Sequence, residues 1–274
     1  MEIISSKNFK YKYIPCRTEQ KLGSVVFCHG YATNSDYFDE IAKKLALNYD
    51  YYAIELEGMG VTPTDPSVNL TPKLYSLQLA ELIRDVLNLQ DVILIGHSMG
   101  GGVVGMTSNL IPERIKLLVM VSPMNSSLHV KLLNSFKLTP TNLAKAWEAS
   151  YIVYKDPYKI FPDGPSSPNL KLMMETQIEI KKHTKNLYRS MNAPLNWIRL
   201  RKSEKHISVP TALIVAEDDQ IIDAKFAIRR LTKNPNVKPF IIYNSGHVPF
   251  VDEPEQFYTV LHHIITTIEK DGEL

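Results

Sequence analysis

The chain is poor in the features that mark several protein classes. It has two cysteines, Cys16 and Cys28, in 274 residues. That is too few for a disulfide framework and suits a reducing compartment, so the expected location is cytoplasmic. Cys28 lies within an apolar run and is expected in the core. The net charge is only +2, the lysines are scattered, and no basic run alternates with aromatics. Neither nucleic acid nor an anionic membrane is therefore expected as a partner. No uninterrupted apolar stretch approaches the ~18 residues of a membrane span, so no integral membrane segment is expected. Met1 to Ser5 hold no basic segment followed by an apolar one, so no signal peptide is expected. The final Lys270-Asp271-Gly272-Glu273-Leu274 only faintly echoes a retention tail. Spacings that would ligate a metal or cradle a phosphate are missing, so no cofactor is expected. Repeats and low-complexity segments are missing too.

What remains is the make-up of a globular protein, 44% hydrophobic and 22% charged. The length fits one large domain, with or without an insertion, or two ordinary ones. Residues 2–5 and 9–15 read as an antiparallel pair of strands at a sheet edge. From there apolar strands alternate with amphipathic helices. Strands are expected at 24–28, 51–56, 91–95, 115–121, 211–215 and 237–243. Helices are expected at 36–47, 71–89, 99–110, 223–231 and 254–268. Such alternation means βαβ units and a mainly parallel sheet covered on both faces. Between Ser122-Pro123 and Val209-Pro210 the alternation stops. That stretch shows helical patterns, as at 143–154 and 170–187, split by the proline-rich loop from Asp156 to Pro168.

The most informative segment is Asp91-Val92-Ile93-Leu94-Ile95-Gly96-His97-Ser98-Met99-Gly100-Gly101-Gly102. An apolar strand stops at a glycine, presents one serine, and restarts as a glycine-led helix. Gly96 and Gly100 remove Cβ atoms two residues either side of Ser98, where a sharp turn presses chain on chain. The turn lifts the Ser98 hydroxyl out of the strand end. The Met99 N–H, at the helix N-terminus, then points at whatever oxygen the serine attacks.

Gly96-His97-Ser98-Met99-Gly100-Gly101 resembles the nucleophile elbow of the α/β-hydrolase superfamily, and most closely its esterase, lipase and monoacylglycerol-lipase-like members. The likeness extends over about residues 20–122 and 209–268. It implies an α/β-hydrolase fold, a mostly parallel twisted sheet with helices on both faces and an inserted helical cap. The core would comprise residues 1–124 and 207–274, and the cap residues 125–206. In such a fold the order is serine, acid, histidine, each at the exit of a strand. Asn244-Ser245-Gly246-His247 supplies His247 as the base, while His97 is expected to pack beneath the elbow. After strand 211–215 several carboxylates compete: Glu217, Asp218, Asp219 and Asp223. The family pattern falls on Asp219, with Asp218 as the alternative and Asp223 as a helix cap. The earlier loop, Ser122-Pro123-Met124-Asn125, holds no carboxylate.

The same resemblance makes His29-Gly30-Tyr31 the oxyanion loop, with the N–H groups of Tyr31 and Met99 as donors. Glu57-Gly58-Met59-Gly60 matches a family D-x-x-G loop, with glutamate in place of aspartate, and reads as structural. Trp147, Tyr151 and Val248 are the expected substrate contacts. The alternative for the cap aromatics and methionines is that they form the cap's own core. The implied activity is hydrolysis of a small-molecule carboxylic ester, short or acyl-chain, through a Ser-Asp-His triad and an acyl-enzyme. Carbon–carbon bond hydrolases, thioesterases and peptidases share the triad and stay open as readings, as does a ligand-binding protein with weak turnover.

Overall fold

β-branched and aromatic runs supply eight strands among the described residues. They are β1 (Glu2–Ser6), β2 (Phe9–Ile14), β3 (Ser24–Cys28), β4 (Asp50–Glu55), β5 (Val92–His97), β6 (Ile115–Val121), β7 (Thr211–Ala216) and β8 (Val237–Ile242). The computed structural model describes residues 2–6, 9–59, 62, 64–65, 67–126 and 140–274. The strands form one sheet in the order β1-β2-β4-β3-β5-β6-β7-β8. The β1–β2 and β2–β4 pairs are antiparallel, with β1 closing one edge, and all other pairs are parallel. The edge hairpin and the parallel core are those expected from the alternation pattern.

Successive side chains of the central strands point to opposite faces, and each face is sealed by its own apolar layer. Val26, Leu94, Leu118 and Leu213 face one layer. Val25, Ile93, Val119 and Ile214 face the other. On the first side lie α2 (Pro72–Glu81), α3 (Met99–Ser108) and α9 (Ala224–Leu231). On the second lie α1 (Asp39–Leu45) and α11 (Pro254–Asp271). Cys28 is buried as expected, and burial pushes its thiol pKa up, so it is an inert core group.

Several helices differ from their expected spans for local reasons. The 36–47 helix begins as a 3-10 turn, Ser35–Phe38, because Asn34 accepts the Asp36 N–H and tightens the entry. The 71–89 helix keeps its Thr71 cap but widens to a π turn over Leu82–Val86. Between β6 and β7 the described residues hold α4 (Leu143–Val153), α5 (Pro157–Ile160), α6 (Pro168–His183), α7 (Lys185–Met191) and α8 (Pro194–His206). The single helix expected over 170–187 breaks at Thr184, whose hydroxyl donates to Ile180 O and accepts from Tyr31. Pro249 starts a short helix, α10 (Pro249–Asp252), since proline is tolerated in a first turn. No helix among the described residues is long and apolar enough to cross a membrane.

Candidate active site

Four loops meet at the carboxyl edge of the parallel strands, following β3, β5, β7 and β8. This is the edge where open α/β sheets place their ligands. The turn after β5 is the tightest. Ser98 sits at φ 55° and ψ −119°, a conformation costly for any residue with a side chain. Neighbouring contacts hold it there. Ser98 N–H donates to Val121 O at 3.0 Å, and Ser98 O accepts from Met124 N–H at 2.7 Å. A Cβ on Gly100 would lie 2.2 Å from Cys28 O, and one on Gly96 would lie 2.4 Å from Gly100 O. Both positions therefore need glycine for the close approach of strand, turn and helix.

The half-buried Ser98 hydroxyl lies 2.8 Å from His247 Nε2. His247 Nδ1 lies 2.8 Å from Asp219 Oδ2. A carboxylate only accepts, so Nδ1 carries the proton and Nε2 accepts from the serine hydroxyl. The other Asp219 oxygen accepts the N–H groups of Ile221 and Ile222, at 2.8 and 2.9 Å. Burial works against the Asp219 charge. The facing imidazole and the two N–H donors outweigh it and hold the carboxyl below its ordinary pKa. The structure thus brings together the three residues singled out in the sequence.

Asp218, the alternative acid, turns away and pairs with Lys155 Nζ at 2.8 Å in the open. Asp223 caps α9 by accepting Phe226 N–H. His97 lies beneath the turn and donates Nε2–H to His247 O at 2.8 Å. Burial, with the neighbouring His247 imidazole adding to it, lowers its pKa to about 3, so it is a neutral strut.

The loop after β3 passes directly over Ser98. A Cβ on Gly30 would stand 3.1 Å from Ser98 Cβ. His29 accepts Leu56 N–H on Nε2 at 3.1 Å, so its Nδ1 is the protonated nitrogen and donates to Gly30 O at 2.9 Å. Although Glu55 stands 3.9 Å away, this bonding leaves His29 neutral, and burial lowers its pKa. The next donor along, Ala32 N–H, is committed to Met59 Sδ at 3.3 Å. The Tyr31 side chain points away and bonds Thr184 Oγ at 3.1 Å. Met99 is the first residue of α3, where N–H groups have no partner within the helix. Glu57 accepts from Thr64 and Gln78 through its two carboxylate oxygens and from Tyr75 through its carbonyl, so that loop is held by structural bonds.

A small cavity opens above Ser98. Tyr31, His247, Val248 and Ile221 line it from the core, and Ala149, Ser150 and Val153 from α4. Among the described residues that line it there is no Lys, Arg, Asp or Glu. Trp147 and Tyr151 are not brought to it. Helical spacing sends 146, 149, 150 and 153 inward. Trp147 instead packs edge-on against Tyr151 and Tyr158, with the Tyr151 side chain 43% exposed. Tyr37 and Tyr154 do line the cavity. Tyr37 follows no apolar periodicity and carries no sequence signal, whereas Tyr154 is an aromatic of the helical stretch 143–154. Asp252 also escaped sequence reasoning. Its buried carboxylate accepts Gly246 N–H at 2.7 Å and Lys155 N–H at 3.1 Å, joining the His247 loop to the end of α4.

Among the described residues no three His, Cys, Asp or Glu side chains converge as metal ligands. A serine on a strained strand–helix turn, bonded to a histidine and a buried aspartate at the carboxyl edge of such a sheet, has the architecture of an α/β hydrolase. The family model described as alpha/beta hydrolase fold matches residues 23–254, and the chain belongs to that family. "Putative esterase/lipase 3" of Mycoplasma pneumoniae is 30% identical over 253 residues, covering 88% of this chain and 86% of that protein. Among solved structures, a protein described as a putative lipase from Acinetobacter baumannii superposes with TM-score 0.86 at 18% identity, covering 98% of this chain and 92% of that one. The meta-cleavage product hydrolase of Pseudomonas fluorescens has the same fold, with TM-score 0.79 at 16% identity and 97% of each chain covered.

Proposed function

We propose that the protein is a serine carboxylesterase that cleaves uncharged esters, short or acyl-chain, through an acyl-enzyme. The observation carrying this is the unbroken chain from Asp219 through His247 to Ser98, two contacts of 2.8 Å each, opening into a cavity with no Lys, Arg, Asp or Glu among its described lining residues. Relatives named esterase/lipase, such as the Mycoplasma pneumoniae protein, support it. The cap of the reading, residues 125–206 on a core of 1–124 and 207–274, includes 127–139, which lie outside the described residues; of the described ones, α4 supplies part of the cavity's cap-side wall.

In this reading Ser98 Oγ attacks the ester carbonyl while His247 Nε2 takes its proton. Asp219 keeps Nδ1 protonated and balances the imidazolium without taking a proton itself. The Met99 and Tyr31 N–H groups receive the oxyanion. His247 then protonates the departing alkoxide. Water enters by the reverse sequence and releases the acid, so the reaction needs no other reactant. Hydrolysis of p-nitrophenyl esters from acetyl to palmitoyl tests the proposal. Release by the wild type that vanishes in Ser98→Ala is expected. No release at any length by folded wild type would contradict it, and would favour carbon–carbon or amide substrates.

A further inference from the structure

The cavity over Ser98 is small, about 90 Å3, well below the roughly 300–1,000 Å3 usual for ligand pockets. A second cavity of about 430 Å3 lies against it, between the turn Ser35–Phe38 and helix α6, and is more open to the outside. Ile160, Phe161, Leu172 and Val251 give it apolar walls. The two cavities share Ala32, Thr33, Tyr37, Tyr154 and Met173. Hydroxyl bonds link the residues of the shared wall, while Tyr154 also packs edge-on against Phe161. Tyr37 and Tyr154 Oη atoms are 3.1 Å apart, and Tyr37 O–H donates to Met173 Sδ at 3.6 Å. Tyr154 can donate to Tyr37 while Tyr37 donates to Met173, so one chain of bonds links the core turn, the end of α4 and α6. None of the three groups carries charge, and the methionine is the most adaptable of side chains. The partition can therefore open without separating an ion pair.

We infer that the outer cavity receives the apolar arm of the ester substrate, and that Tyr37, Tyr154 and Met173 form the gate it passes. The preferred substrate is then an ester with an extended hydrocarbon arm, not an acetate. This rests on the serine esterase reading, and it adds the substrate class and the residues that set it. The outer wall can be blocked at a distance from Ser98, because Thr176 lines the outer cavity and is exposed on α6.

The test compares kcat/KM for p-nitrophenyl acetate and octanoate in the wild type, Thr176→Trp and Tyr37→Phe, each confirmed folded by its thermal midpoint. The wild type is expected to favour octanoate at least tenfold. Thr176→Trp should cut the octanoate-to-acetate ratio about tenfold, and Tyr37→Phe should raise it severalfold by loosening the gate. A wild-type preference for acetate, or a Thr176→Trp ratio within twofold of wild type, would overturn the inference. A second readout does not depend on turnover: calorimetric titration of p-nitrophenyl octanoate into the Ser98→Ala protein, with and without Thr176→Trp. Weaker binding by fivefold or more supports the outer cavity as the chain site, and equal binding overturns it. Were wild-type hydrolysis to persist in Ser98→Ala, the esterase mechanism would fall while the titration still decided the cavity.

Discussion

Asp218 and Asp219 are adjacent in the chain and have opposite surroundings. One carboxylate is in the open beside Lys155; the other is buried, with His247 and two backbone N–H groups satisfying it. Asp219→Asn is expected to lower kcat by roughly 10⁴-fold, because the amide no longer fixes the Nδ1–H tautomer. Asp218→Asn should change kcat by less than about threefold, since exposed ion pairs contribute little. Steady-state kinetics on the two variants decide between them. His97 gives a pH prediction of definite sign. Its folded pKa, about 3, lies below the roughly 6.5 of an unfolded histidine. As pH falls from 7, the unfolded chain gains a proton at this site that the native state refuses, so stability falls. His29, also neutral and buried, acts in the same direction. Between pH 7 and pH 5, His97→Asn should reduce the loss of unfolding free energy by about 2 kcal/mol. Urea denaturation at the two pH values measures it, and an unchanged loss would contradict the neutral assignment. At this scale Ser98 was legible because its strand exit is visible in an apolar run, and Asp219 was singled out among the carboxylates after strand 211–215 only by resemblance to the α/β-hydrolase pattern. The bonds that select Asp219 over Asp218 were not legible, because they depend on which way the loop turns.

The turns between elements carry the tightest constraints. A Cβ on Gly100 would strike two carbonyl oxygens of the β3 exit, Cys28 O and His29 O. Gly100→Ala should destabilise the fold by about 3 kcal/mol or more, because backbone cannot yield as a side-chain tip can. A shift of the urea midpoint reads this directly. The His247 loop is held as closely: His247 N–H donates to Val153 O at 2.7 Å, and Asp252 bonds both sides of the junction. Asp252→Ala frees the buried Gly246 N–H and the part-buried Lys155 N–H and is expected to cost about 2 kcal/mol of stability and to lower kcat through a misplaced His247. Elements were legible where period and caps agree, as at Thr71 and Asp223. Trp147 and Tyr151 show the opposite case. The helix was plain from sequence, but which of its faces meets the core depends on packing between β6 and β7 that no local pattern encodes. The break at Thr184 is likewise set by a distant partner, Tyr31.

Over the whole molecule, two apolar layers clamp a parallel sheet and leave the carboxyl edge for chemistry. The alternation of strands and helices made that architecture readable, since βαβ units allow few other arrangements. The helices between β6 and β7 are different. Their apolar residues serve both packing and cavity walls, and composition does not separate those uses. The central claim is that Ser98 is a nucleophile activated by this arrangement, and trapping tests it most directly. The protein is incubated with a p-nitrophenyl alkylphosphonate, and intact mass and peptide mapping locate any adduct. One phosphonyl group per chain on Ser98, lost in Ser98→Ala and slowed at least a hundredfold in His247→Ala, is the result expected. An unmodified Ser98 in folded protein, or an adduct at the same rate without His247, would contradict the account.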